Sequence, residues 1–484
     1  MSEELKKKEL NRKAATAGTV FVIVQLLVRG ITFLLTPVYA RLVSTAQYGE
    51  IRTYESWLLI AMPIFSLCLY RSVPRAKYEY PDRFSEYVSS VQTLSWISIT
   101  IGYVVVLLFF REPFMRLCIL DTPLLAFMIL YTYSNTSVFF FQNREKQMLR
   151  YRQSVTATAC MMIPATICSI VLLLWGNRTG RQEQLVLLRV IGYYSPQILC
   201  GLFLAFLVWK QGRFNISRDF WKFALLFSLP LIPETLSLQI MNQSDKIMIR
   251  KIVDAESAGI FALATNLSFI IWLIEDAVWG AWLPWLYEKI SRDELTEIQK
   301  PWNLITMIFG YISWALVILG PELIALLGGS KYREAVWLVA PMVTGTLLRF
   351  CSFGFTAELN YQKKTWFTAL GTFATMVLNV ILNAVCIHSF GYQAAAYTTA
   401  FSYLMLMILQ GLLEKKVCGL NCVSLPKMII MGLSFATINL ASMLLYQLHD
   451  LIRWGAFAAV TSIIVWKMLP EILKIWTALR KESD

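Results

Sequence analysis

The chain is 484 residues long, 57% hydrophobic and 15% charged, and about fourteen apolar stretches of about twenty residues use up almost all of it, which leaves no room for a soluble catalytic domain. Its net charge of +13 sits in short basic clusters between those stretches, where anionic lipid headgroups are a nearer partner than nucleic acid. The nine cysteines show no CxxC or metal-type spacing and read as small apolar core residues.

A stretch of about 20 apolar residues crosses a roughly 30 Å hydrocarbon core as a helix, because the helix satisfies its own backbone hydrogen bonds where water is absent. The polar, basic segment Met1 to Lys13 precedes an apolar run too long for a signal peptide, so that run is expected to stay as span 1. The expected spans, numbered 1 to 14, are 14–40, 50–70, 87–110, 118–141, 151–175, 185–209, 220–245, 258–285, 302–327, 334–358, 365–388, 391–413, 426–447 and 450–469. With both termini on one side, roughly 29 Lys and Arg fall there and about 13 on the other, which puts the termini in the cytoplasm. A reporter fused after Asp484 or in the 414–427 loop is therefore expected to read cytoplasmic, and one in the 328–334 loop external. A reversed signal at any of the three would mean that the spans are miscounted.

Along the chain, span 1 carries Arg29 near its middle, where a charge costs from about 3 to more than 10 kcal/mol unless it meets water or a partner. Gly18, Gln25, Arg29, Thr32 and Thr36 recur at helical spacing as one polar stripe, which points Arg29 into a wet cavity. A structural ion pair inside a bundle is the alternative. In span 7, Pro230 and Pro233 remove backbone donors and predict a kink or unwound turn. Glu234 follows at once, and Thr235, Gln239, Asn242 and Lys246 continue as a polar stripe; a hinge without ligand duty is the competing reading.

Span 8 sets Glu275 and Asp276 among Trp272, Trp279, Trp282 and Trp285. Trp272 and Trp279 lie deep enough to line a cavity, whereas Trp282 and Trp285 fit an interfacial belt. The acids are candidates to bind a coupling ion or to neutralise Arg29 or Arg349. Arg349 in span 10 has its own stripe of Pro341, Gly345, Ser352 and Thr356, whose small residues serve close helix packing as readily as a ligand. The two histidines, His388 and His449, lie apart near predicted helix ends, so no enzyme is expected.

After span 1 the chain reads Arg41-Leu-Val-Ser-Thr-Ala-Gln-Tyr-Gly49, and after span 7 it reads Lys251-Ile-Val-Asp-Ala-Glu-Ser-Ala-Gly259, about 210 residues later. Asn143 to Lys146 ends span 4 much as Asn360 to Lys363 ends span 10. Six spans separate the copies, an even number, so the halves share one topology and a pseudo-two-fold axis along the membrane normal. The expected fold is an all-α membrane protein of about 14 transmembrane helices. Two six-helix bundles, 1–215 and 216–417, precede an appendage of two helices and a tail, 418–484.

The segment Leu35 to Gly49 resembles the span 1 exit of the polysaccharide biosynthesis flippases, the O-antigen and capsule repeat-unit exporters. Ser228-Leu-Pro-Leu-Ile-Pro233, Asn242-Gln-Ser-Asp-Lys-Ile-Met248, Ala281-Trp-Leu-Pro-Trp-Leu-Tyr287 and Asn379-Val-Ile-Leu-Asn383 agree with it in order and spacing. The resemblance implies membership of the multidrug/oligosaccharidyl-lipid/polysaccharide exporter superfamily and a lipid-linked oligosaccharide as cargo. Translocation of an undecaprenyl-diphosphate-linked repeat unit across the bacterial plasma membrane by alternating access is then expected, without a cofactor. Gln25, Arg29, Thr32, Arg349, Trp272 and Trp279 are the expected substrate contacts, with a guanidinium holding the pyrophosphate bidentately. Glu275, Asp276 and Glu234 are expected to couple H⁺ or Na⁺. Membrane lipids and glycan polymerase machinery are the further expected partners. A cation-coupled multidrug exporter and a peptidoglycan-precursor flippase of the same superfamily are the alternatives, followed by a membrane glycosyltransferase or polymerase.

Overall fold

The computed structural model describes residue 30 and residues 33–462. Gln25, Arg29 and Thr32 lie outside the described residues. Every regular element described is a helix. Eleven are long and apolar enough to cross a membrane, or twelve with a bent pair taken as one span. Spans 1 and 14 are described only in part, so the count is compatible with fourteen. Large apolar side chains such as Leu108, Phe109, Ile167, Leu199 and Phe203 stand exposed on the outside of the bundle, as a hydrocarbon solvent allows.

The repeated motif turns out to be a helix start. Ser44 caps the helix Thr45–Ser66 in a capping box with Gln47, and Asp254 caps Ala255–Ser291 by accepting from the Ser257 amide at 2.7 Å. In both copies a short polar side chain satisfies amides that the helix leaves unpaired. Helix pairing recurs as well: span 4 packs on span 6 as span 10 packs on span 12, and span 5 on span 6 as span 11 on span 12.

Among the described residues spans 2, 7 and 9 are interrupted, span 9 running as Leu295–Ile318 and Gly320–Gly328. Span 7 runs as Arg218–Ser228, a 3₁₀ turn Leu229–Leu231, and Ile232–Ile252, the break that Pro230 and Pro233 predict. Span 2, expected as one helix over 50–70, instead ends at Ser66. Leu67 and Cys68 take left-handed conformations (φ 52° and 51°), and a second piece, Leu69–Glu79, leaves at 65°. Carbonyls freed at such a break need donors. Span 3 supplies them, with the Ser95 hydroxyl donating to Ser66 O (3.1 Å) and Ser98 to Phe65 O (2.9 Å). Beyond the break, the Arg71 guanidinium donates to Thr235 of span 7.

Span 13 packs on spans 9 and 10. Asn439 donates to Ser313 (2.7 Å) and Thr344 (3.0 Å) of spans 9 and 10. The loop leading into it is held by two buried acids: Glu358 accepts from the amides of Cys422 and Val423, and Glu414 from those of Leu420 and Asn421. Trp282, expected in an interfacial belt, is 7% exposed and packs on Trp302 with ring centroids 5.3 Å apart. Cys68, Cys118, Cys351 and Cys422 are buried as expected of core residues, whereas Cys160 and Cys168 are exposed.

Candidate functional site

The two capped helix starts meet. A Cβ placed on Gly49 would lie 1.9 Å from Ala255 O and 2.7 Å from Gly259 N, and one on Gly259 would lie 2.1 Å from Thr45 O. Glycine at both positions lets the two backbones touch. Around that contact Thr45 donates to Glu256 (2.9 Å), Arg250 pairs with Glu50 (3.0 Å), Tyr48 meets Tyr332 edge-on (5.9 Å) and Arg41 reaches Leu326 O (3.4 Å). One end of the seam between the two halves is thereby sealed, at the side that the charge count assigns to the exterior.

Beneath the seal lies a cavity of about 280 Å³ between spans 2, 7, 8, 10 and 12, lined among others by Arg52, Glu55, Asn242, Asp245, Lys246 and Trp272. The Arg52 head donates to Glu55 (2.7 Å) and to the Tyr48 hydroxyl (2.8 Å). Arg189 approaches Glu55 from span 6 at 3.4 Å. The Lys246 ammonium donates to Gln243 (2.7 Å), which also accepts from Ser56 (3.0 Å) and so ties span 2 to span 7. The cavity is lined by Arg52 and Lys246 against Glu55 and Asp245, and Arg189, which lines an adjoining pocket, makes three cations against two acids over the two spaces together, one positive charge in excess at full ionisation. In a site of low dielectric such fixed cations attract an anion more strongly than they do in water.

Asp245 points the other way, into the seam between spans 7, 11 and 12. One carboxylate oxygen accepts from the Asn383 amide (2.6 Å) and the other from the Thr399 hydroxyl (3.0 Å). Asn379 donates to Thr399 (3.1 Å) and accepts from Asn383 (3.3 Å), and Thr398 donates to the Asn383 carbonyl oxygen. One carboxylate among amide and hydroxyl oxygens is a set suited to a small hard cation, once the Asn383 amide turns its oxygen inward.

Of the residues singled out from the sequence, three come together. Glu275 accepts from Arg349 at 2.6 Å, and the Arg349 guanidinium lies over the Trp272 ring at 4.3 Å, so span 10 joins span 8 at the cavity wall. In the small-residue stripe of span 10, Gly345 closes on the backbone of Ala400 in span 12, which is a packing role. Trp279 packs on Phe353 (5.1 Å), Asp276 is exposed, and Glu234 sits half-buried in the first turn after the span 7 break. Of the expected substrate and ion contacts among the described residues, Trp272 lines the cavity, whereas Glu234, Glu275, Asp276, Trp279 and Arg349 do not.

Arg52, Glu55, Arg189 and Asp245 were missed, for a common reason. Arg52, Glu55 and Arg189 lie within five residues of an expected span start and Asp245 at an expected span end, where a charge reads as the polar edge of a span. The helices run farther: span 2 begins at Thr45, and span 7 continues to Ile252. The signal that finds them is a charge within a turn or two of a predicted border with a cap still farther out.

Residues 16–290 match the family described as polysaccharide biosynthesis protein. The Lsg locus putative protein 1 of Haemophilus influenzae is 22% identical over 336 residues, covering 67% of this chain and 80% of that protein. The lipid II flippase MurJ in an inward closed conformation superposes with a TM-score of 0.65 at 13% identity, covering 93% of this chain and 100% of that one. An inward-facing multidrug resistance MATE family transporter of the MOP superfamily superposes with a TM-score of 0.54 at 14% identity, covering 86% and 95%. At these identities the two structural likenesses are likenesses of fold.

Proposed function

The chain belongs to the polysaccharide biosynthesis protein family, and from that premise we propose that it carries an undecaprenyl-diphosphate-linked oligosaccharide repeat unit from the cytoplasmic to the outer leaflet of a bacterial plasma membrane. The observation that carries the reading is the cluster of cations beneath the sealed end of the seam, Arg52 and Lys246 in the cavity and Arg189 in the pocket adjoining it. A lipid diphosphate brings about two negative charges, and its passage across the bilayer centre without a counter-charge meets a large solvation barrier. Arg52 and Lys246 lower that barrier. The lipid tail stays in the bilayer, and the sugars travel in the cleft.

The bundles 1–215 and 216–417 rock about the contact between their matching motifs, which opens outward when Gly49 and Gly259 part. A multidrug exporter of cationic cargo is opposed by the excess positive charge. A peptidoglycan-precursor flippase also moves a lipid diphosphate and differs in its sugars. The separating test is deletion of the gene in a strain that displays a surface glycan. Loss of that glycan with lipid-linked repeat units held on the inner leaflet supports the reading, whereas lysis from failed wall synthesis replaces it with the peptidoglycan-precursor reading.

Coupling to H⁺ or Na⁺ fits Asp245 better than Glu275 of span 8, because Glu275 is paired with Arg349 at 2.6 Å while the Asp245 carboxylate takes its hydrogen bonds from the neutral Asn383 and Thr399. Asp245→Asn is expected to abolish the dependence of transport on the ion gradient, and Glu275→Gln to leave that dependence in place. Flux measured in vesicles with and without an imposed gradient decides between them; gradient-dependent flux in Asp245→Asn returns the role to Glu275, Asp276 or Glu234.

A further inference from the structure

A second pocket opens off the cavity into the N-terminal bundle, sharing Arg52, Glu55 and Leu59 with it. It holds about 200 Å³, several times the ~30 Å³ that a water takes in the liquid. Tyrosine rings of spans 4 and 6 wall it: Tyr131 and Tyr193 each meet Tyr194 edge-on, with centroids 4.6 and 5.2 Å apart. Arg189 lies at its back, 95% buried, with its guanidinium between the faces of Tyr193 (4.0 Å) and Tyr39 (4.5 Å). With two rings this close to the guanidinium, its edge is what remains for a ligand.

Three polar atoms of this lining are buried without a hydrogen-bond partner among the described residues: Arg189 Nη1, Arg52 Nε and the Tyr39 hydroxyl. All three can donate. Leaving a buried donor unpaired costs about 1–3 kcal/mol, and more for a charged group. Glu55, the carboxylate that lines the pocket, accepts from other nitrogens of Arg52 and Arg189, so these three donors lack an acceptor, and a planar carboxylate matches a guanidinium edge flanked by a hydroxyl. Aromatic walls suit the C–H faces of a sugar ring.

We infer that this side pocket seats an acidic sugar of the cargo, with the sugar carboxylate between Arg189 and Tyr39. The inference rests on the flippase reading and deepens it, since it assigns the repeat unit a uronic-acid-type residue. An anionic oxygen pair is also offered by the lipid diphosphate, so the probes are glucuronate, glucose and inorganic pyrophosphate, titrated by calorimetry into the full-length protein in nanodiscs. Glucuronate is expected to bind and glucose to bind at least tenfold more weakly. Tyr39→Phe removes a hydroxyl that holds nothing in the fold; it is expected to weaken glucuronate about tenfold while pyrophosphate affinity stays within twofold. Arg189→Lys, which keeps the charge and loses the fork, is expected to weaken glucuronate further. Equal binding of glucose and glucuronate, absence of glucuronate binding, or loss of pyrophosphate affinity in Tyr39→Phe overturns the inference. The two readings fail separately: surface glycan that survives gene deletion removes the flippase reading, whereas glycan lost on deletion with glucuronate binding untouched in both variants removes only the acidic sugar.

Discussion

Gly49→Val is expected to stop transport and to leave the protein standing open to the outside. Even one added carbon at this position falls 1.9 Å from Ala255 O, and the obstacle is backbone on the opposite half, which no side-chain rotation clears. Valine adds two further methyl groups that are stiff about χ1. Span 2 and span 8 must then separate, breaking the Thr45 to Glu256 hydrogen bond and the Arg250 to Glu50 ion pair that surround the contact. Folding does not depend on the closed seam if the halves pack within themselves, so membrane insertion should persist. Gly259→Val should behave alike, because its Cβ meets Thr45 O at 2.1 Å. A cysteine placed at Ser268 in the cavity, in a cysteine-free background, reads the outcome: an impermeant thiol reagent added outside should label it in the valine variants and leave it unlabelled when both glycines are present. Wild-type transport by Gly49→Val would sink the seal.

The two-motif repeat was legible because capping leaves a mark in sequence: a Ser or Asp before the helix and a glycine five residues on, at Ser44 and Gly49 and again at Asp254 and Gly259. That these copies touch was not legible, since spacing along the chain says nothing about which helix faces lie at an axis. The span 7 break was legible from two prolines. The span 2 break was not, because Leu67 and Cys68 adopt left-handed backbone without glycine, and its support comes from serines of another span. Arg349, Glu275 and Trp272 were legible as charges and an indole too deep for lipid. That the acids of span 8 neutralise Arg349 was one of the alternatives open in sequence, and which acid meets it needed three dimensions. Lys246 was legible in the polar stripe of span 7, whereas Arg52 and Arg189 were hidden because each lies within a turn or so of an expected span start, where a charge reads as an edge.

Arg52→Gln is expected to leave the protein inserted and to lower glycan export by roughly 100-fold or more, the scale set when a preorganised charge is removed from a low-dielectric site. The difficulty is that Arg52 also neutralises Glu55, which would be left with Arg189 at 3.4 Å, and an acid stripped of its partner can disable a membrane protein for structural reasons alone. The double variant Arg52→Gln with Glu55→Gln separates the two. It removes the acid together with its partner, so a purely structural role predicts recovery of export. An anion-holding role predicts that export stays low although insertion is normal, because Lys246 and Arg189 remain while the Arg52 head beneath the seal is gone. Arg52→Lys should retain part of the activity, since the charge survives and the two-pronged contact is lost. Export is read as surface glycan per inserted transporter, with lipid-linked repeat units counted on the inner leaflet. Full recovery in the double variant would reduce Arg52 to a partner of Glu55 and leave the cargo charge to Lys246 and to Arg29 of span 1.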